Sequence, residues 1–105
     1  MTFEDLEQMV IHWSKTRGIL DNSTVQAQTL KAVSEMGELA DAVTKQQVVE
    51  TMDAIGDILV CLINVAAMQK TDLYTCLHFA FDEIKNRKGY MNEQGVFVKE
   101  SNENR

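Results

Sequence analysis

The chain has 105 residues and 45% hydrophobic content, enough for one domain with one modest core and too apolar for global disorder. Its formal net charge of −6 argues against a protein that grips nucleic acid by charge alone, and leaves metal-bridged contact as the route to a polyanion. No proline, five glycines and a supply of Leu, Met, Ala, Glu, Gln and Lys favour helices.

A first helix is predicted from Phe3 to Thr16, with Thr2 as N-cap and Glu4 and Asp5 in the first turn, where the helix dipole favours acids. Phe3, Leu6, Met9, Val10 and Trp13 recur at helical spacing along it. Gly18 marks its end, and Asp21-Asn22-Ser23 reads as a loop. A second helix begins near Ser23, which matches a capping box with Gln26, and runs to about Lys45. Val25, Leu30, Val33, Met36, Leu39, Ala40 and Val43 are its apolar positions.

The third helix is predicted over Gln47 to Met68. Its second half, Ile58 to Ile63, is apolar all round and must be covered on most sides, which predicts that oligomerisation completes the covering. The apolar stretch Ile58 to Met68 is too short to span a bilayer and contains Asn64, so no membrane segment is expected. The fourth helix starts after Thr71-Asp72, carries Leu73, Cys76, Leu77, Phe79, Ala80 and Ile84 inward, and ends near Gly89. Residues 90–105 form a tail with one β-like patch, Val96-Phe97-Val98, and a frayed polar end. The expectation is a single all-α domain, a four-helix bundle with short connections and a short C-terminal tail. Cys61 and Cys76 form no CxxC pair and lie in apolar helical patterns, which reads as two reduced core thiols in a cytoplasmic protein. The N-terminus opens with acidic residues rather than a basic stretch and an apolar run, so no signal peptide is expected.

The acids carry the functional argument. Glu35 and Glu38 share a helix face at i, i+3, and Asp53 and Asp57 share one at i, i+4 on the following helix. Glu50 falls within about 60° of Asp53 and Asp57 around the same axis. Were the two helices antiparallel neighbours, the pairs would face each other across a groove. Carboxylates held so close repel unless cations neutralise them, and hard oxygen ligands select magnesium, manganese or calcium. Gly37 and Gly56 are embedded in the two acid pairs, leaving room for a ligand or a closely packed neighbour. A single ExxE is usually a solvated face; two acid pairs, each with a glycine, keep a metal site and a solvated face as open alternatives.

Ser34-Glu35-Met36-Gly37-Glu38-Leu39-Ala40-Asp41-Ala42-Val43, followed by Asp53-Ala54-Ile55-Gly56-Asp57-Ile58-Leu59-Val60, resembles the paired acidic motifs of the MazG-like all-α nucleoside triphosphate pyrophosphohydrolases. So do His12-Trp13 with Arg17-Gly18-Ile19, Gln28 with Lys31, Glu83 to Gly89, and Gly95 to Glu100, which look like the small phage and bacterial members. The resemblance implies an all-α pyrophosphohydrolase fold assembled as a homodimer or homotetramer. It also implies cleavage of a nucleoside or deoxynucleoside triphosphate between the α and β phosphates. Glu35, Glu38, Asp53 and Asp57 would hold Mg2+, with Mn2+ as a substitute, and Glu38 or Glu50 would accept the proton of the attacking water. Two positions depart from the family pattern. Ala54 stands where the second motif often has Glu, with the acid one place earlier at Asp53, and Ser34 stands where many members carry a further acid. Glu50 is therefore kept as a substitute ligand.

The remaining expectations each have a bland counterpart. Lys31 would contact a phosphate or pair with Glu35 at i, i+4. Lys85, Arg87 and Lys88 would contact phosphates or favour a helix C-terminus. Trp13 would stack on a base or pack the core, and His12 would hydrogen-bond a base. Asn64 would read a base or satisfy a neighbour across an oligomer interface. No P-loop, GxGxxG, HExxH or nucleophile elbow occurs, and the two histidines provide no Glu-x-x-His pair for a di-iron bundle. The competing reading is a non-catalytic helical interaction or regulatory module that retains the fold. No nucleic-acid partner is expected.

Overall fold

The computed structural model describes residues 1–100; the frayed end expected at 101–105 lies outside the described residues. The first helix, α1 (Phe3–Thr16), starts from a reciprocal cap: the Thr2 hydroxyl accepts from the Asp5 amide, and the Asp5 carboxylate accepts from the Thr2 amide, each at 3.0 Å. It stops at Gly18, whose φ of 81° an L side chain rarely adopts. The expected loop then begins as a single helical turn, α2 (Ile19–Asn22), closed by the Asn22 carboxamide donating to the Gly18 carbonyl at 2.8 Å.

Helix α3 (Val25–Thr44) is capped by Thr24, whose hydroxyl accepts from the Ala27 amide. The expected cap, Ser23, instead accepts from the Gln28 carboxamide at 3.1 Å. After a tight turn in which Gln46 has a φ of 58°, α4 (Val48–Met68) returns. Helix α5 (Leu73–Ile84) is shorter than expected, because Gly89 opens a strand rather than closing a helix. β1 (Gly89–Met91) pairs antiparallel with β2 (Phe97–Lys99) in the register Gly89↔Lys99, Tyr90↔Val98, Met91↔Phe97. A Cβ at Gly89 would collide with the Val98 carbonyl and the Phe97 ring, so this first rung needs glycine. The protein is mostly helical with a small antiparallel sheet, and the β-like patch in the tail is half of a hairpin.

The chain forms two compact units, Met1–Thr75 and the residues from Cys76 onward. In the first unit α3 and α4 make an antiparallel pair, α1 packs on α4, and α2 on both α1 and α4. The stripe of α3 that turns inward is Val25, Gln28, Ala32, Glu35, Leu39 and Ala42, an i, i+3/i+4 pattern. Of the apolar positions read from sequence, Val25 and Leu39 turn inward, whereas Leu30, Val33, Met36 and Val43 lie outside and are 51–68% exposed. Small side chains explain the choice. Ala32 and Ala42 meet an α4 stripe that includes Ala54 and Cys61, and small residues let helix axes approach. Leu77, Phe79 and Ile84 of α5, expected inward, are exposed, and so is Cys76, expected as a core thiol.

A buried polar chain ties the first unit together. The Ser14 hydroxyl donates to Asn64 Oδ1 at 2.6 Å, and Asn64 Nδ2 donates to Gln28 Oε1 at 3.0 Å, so α1, α4 and α3 meet on one carboxamide. Ser14 and Asn64 are the most completely buried side chains. Glu7, also buried, accepts from the Leu73 amide at 2.9 Å and so caps the first turn of α5. At 21 residues α4 is long and apolar enough to cross a membrane, unlike the shorter stretch Ile58–Met68. Ala54, Cys61, Ile63, Asn64 and Ala66 are its buried residues.

Asn64→Ala leaves the buried Ser14 hydroxyl without its acceptor and removes the donor to the half-buried Gln28 Oε1. We expect a loss of about 1–3 kcal/mol in urea denaturation, with no change in the denaturant slope.

Candidate metal centre

The Asn64–Gln28 bond sets the register of the α3–α4 pair. Two turns onward along α3 stands Glu35, and two turns back along α4 stands Asp57, so antiparallel packing puts these acids at the same level. One turn further toward the α3–α4 connection, Glu38 lies level with Ala54 and Asp53. There a cavity of about 410 Å³ is lined by Glu38, Asp41, Glu50, Asp53 and Ala54. Asp53 also lines a second, mostly apolar depression between α1 and α4, together with Asp57, Gly56, Phe3 and Leu6. The predicted ligands Glu35, Glu38, Asp53 and Asp57 and the substitute Glu50 thus follow one seam between two helices.

Their environments differ. Glu38, Glu50 and Asp53 are exposed, Asp57 is half-buried and Glu35 is buried. The Glu35 side chain is only 9% exposed because it occupies the inward stripe. Its Oε2 pairs with Lys31 Nζ at 3.3 Å, while its Oε1 is buried with no hydrogen-bond partner. An unpartnered buried carboxylate oxygen is costly, and a cation relieves it. Burial pushes the Asp57 carboxyl above the usual carboxylate range, Asp53 and Glu35 push it further, and Lys31 opposes them. Among the described residues no three carboxylate, thiol or imidazole groups converge closely enough to enclose an ion in this arrangement.

The glycines sit as the spacing suggested but not for close packing. A Cβ on Gly37 or Gly56 would meet nothing within 4 Å. Gly37 borders the acidic cavity and Gly56 the apolar depression, so both leave open space beside the acids.

The predicted substrate contacts are scattered. Lys31 makes the i, i+4 pair with Glu35. Trp13 is 45% exposed, with the Arg17 guanidinium 5.1 Å from its ring centroid, so it is not a core residue. His12 is exposed, and neither it nor Trp13 lines the two depressions beside the acids. Asn64 finds its partners within the chain, in Ser14 and Gln28, rather than in a base or across an interface. Lys85 follows the last residue of α5 and pairs with Asp82 at 3.2 Å, and Arg87 and Lys88 come next, all in the second unit. Asp41 was missed in the sequence reading. It lines the acidic cavity and pairs with Lys45 at 3.1 Å, and its i, i+3 spacing from Glu38 was the available signal.

No protein-family model matches the chain, and no solved structure matches it. The chain is similar to an uncharacterized 18.2 kDa protein from the rep-hol intergenic region of Haemophilus phage HP1 (strain HP1c1), 32% identical over 71 residues. The match covers 65% of this chain and 44% of the phage protein, so the chain spans less than half the length of that relative.

Because folding raises the Asp57 pKa, the folded form binds a proton more readily than the unfolded one. Its effect is a loss of stability as pH rises from the ordinary carboxylate value of 3.8 through the folded pKa. Asp57→Asn is therefore expected to raise the metal-free unfolding midpoint at neutral pH and leave it little changed in acid, as read by thermal unfolding in chelator. Added magnesium is expected to stabilise the parent protein more than the variant.

Proposed function

We propose that this protein is a magnesium-dependent nucleoside triphosphate pyrophosphohydrolase of the MazG-like kind, with its metal site on the α3–α4 seam. The observation that carries the reading is the buried, unpartnered Oε1 of Glu35 at the level of Asp57, in line with Glu38, Asp53 and Glu50. Hard oxygen donors of this number fit Mg2+, with Mn2+ as a substitute. Glu35, Glu38, Asp53 and Asp57 would hold the cation, and Glu50 stands in the same cavity as Glu38 and Asp53. When bound, the metal supplies charge neutralisation for the triphosphate and acidifies the attacking water.

The chain's own groups do the rest. Glu38 and Glu50 are both exposed to the cavity, and a carboxylate there that is not bound to metal accepts the proton of the water attacking phosphorus, with pyrophosphate leaving. Lys31 holds Glu35 and stands within electrostatic reach of Asp57, a position from which it can meet a phosphate oxygen. Lys85, Arg87 and Lys88 are further phosphate contacts in this reading, and His12 and Trp13 are contacts for the base. Assembly as a homodimer or homotetramer accounts for the stripe Leu30, Val33, Met36 and Val43, which is exposed among the described residues. The setting is cytoplasmic, with neither nucleic acid nor membrane as partner.

A second reading has a specific basis. Ala54 and Ser34 both stand at the acidic cavity in places where the resembled family often has acids. On that ground the chain is a helical interaction or regulatory module that keeps the fold and the cation site without turnover.

A pyrophosphate-release assay over the common ribo- and deoxynucleoside triphosphates with magnesium decides between them. Turnover giving monophosphate and pyrophosphate is expected, with Glu38→Gln about a hundredfold or more slower at unchanged helicity. Absence of turnover with every nucleotide, in a folded protein, supports the module instead. Sedimentation at micromolar concentration is expected to give a dimer or tetramer; a monomer alone removes the assembly.

A further inference from the structure

At the end of the α3–α4 seam away from the acids lies a cavity that the proposed hydrolysis does not use. It has a volume of about 540 Å³ and is lined from the second half of α1, the α2 turn, the start of α3 and the end of α4, all within the first unit. Asp57 and Met68 stand on the same helix, roughly 16 Å apart along its axis, so the acids and this cavity are separate places. Ile11, Leu20, Val25, Ala67 and Met68 form an apolar side, and each is half-buried.

The polar side is rich in donors. Lys15 and Lys70 both border the cavity, and among the described residues neither ammonium has an ion-pair or hydrogen-bond partner. Ser23 Oγ accepts from the Gln28 carboxamide and Thr24 Oγ1 from the Ala27 amide, so each hydroxyl keeps its own proton to donate. Among the described residues Asp21 is the one carboxylate on the wall, so two ammoniums outnumber it in a chain whose net charge is −6. Lys70 has a φ of 63°, the left-handed conformation that glycine normally supplies just past a helix end, so a lysine there gives up stability. Nothing among the described residues offsets that cost, since the ammonium has no partner there.

The donors discriminate between anions. A phosphate monoester carries close to two negative charges at neutral pH and three strong acceptor oxygens, which suits two ammoniums and two hydroxyls. A carboxylate brings one charge and two oxygens. We propose that this cavity binds an organic phosphate monoester, with its phosphate against Lys15, Lys70, Ser23 and Thr24 and its apolar or aromatic body against the side formed by Leu20, Val25 and Met68. The cavity has the size of a small-molecule site, and Asp21 is left to accept from a hydroxyl on the body. The proposal stands apart from the reading of the acidic seam and needs no metal.

Phenyl phosphate titrated into the whole chain in metal-free buffer, followed by calorimetry, tests this. Saturable binding of one molecule per chain is expected, about tenfold or more tighter than that of inorganic phosphate, which lacks the apolar body. Lys15→Gln and Lys70→Gly are each expected to weaken it about tenfold or more. Lys70→Gly also relieves the left-handed backbone, so its thermal unfolding midpoint is expected to match or exceed the parent's, which separates a lost contact from a damaged fold. Lys99→Gln, which removes the same charge from β2, is expected to leave binding unchanged. No saturable binding by the parent, or equal affinity for inorganic phosphate, overturns the proposal. So does a Lys70→Gly variant that binds as tightly as the parent, or an equal loss in Lys99→Gln.

Discussion

One side-chain amide organises the first unit. Asn64 accepts a hydrogen bond from Ser14 on α1 and donates one to Gln28 on α3, from within an apolar helix where an unpaired carboxamide would cost about 1–3 kcal/mol. Apolar contacts tolerate sliding, because one Ala or Val meets another almost as well a turn away. A buried hydrogen-bonded carboxamide does not, since any other register leaves donors and acceptors dry and unpaired. The register of α3 against α4 is thereby pinned at one end, and the turn through Gln46 closes the other.

The acids follow from that register. With Gln28 opposite Asn64, Glu35 must come level with Asp57, and Glu38 with the segment holding Asp53. Glu35 becomes the one acid on the inward stripe of α3, buried with half of its carboxylate held by Lys31 and half unsatisfied. Repulsion from Asp53 and Glu35 adds to burial in raising the Asp57 pKa. Stability is given up at this point of the seam, where a buried carboxylate oxygen lacks a partner.

The seam also explains what lies outside it. Two helices that meet through Ala32, Ala42, Ala54 and Cys61 pack closely but bury little area, so the large side chains of α3 have no place between them. Leu30, Val33, Met36 and Val43 face outward. The periodicity of α3 supports either stripe, and the apolar positions of its sequence fall on both, with Val25 and Leu39 inward. Volume at the contact, not hydrophobicity summed over a face, decided which side turned in.

Helix existence was legible in the sequence because caps and breakers are local: Thr2 with the acids of the first turn, and Gly18, act within a few residues, whereas the turn through Gln46 carries no such mark. The short α2 turn, the Thr24 cap and the hairpin from Gly89 to Lys99 were not, since each depends on hydrogen bonds or rungs that periodicity does not encode. The acid pairs were legible as pairs for the same local reason: residues three or four apart share a helix face whatever the fold. Only the tertiary structure decided that Glu35 is buried with one oxygen unpartnered, that Asn64 is internal and that Asp41 joins the cavity. Those facts depend on which residues of α3 and α4 come level, and register between helices is set by long-range packing that no single helix records.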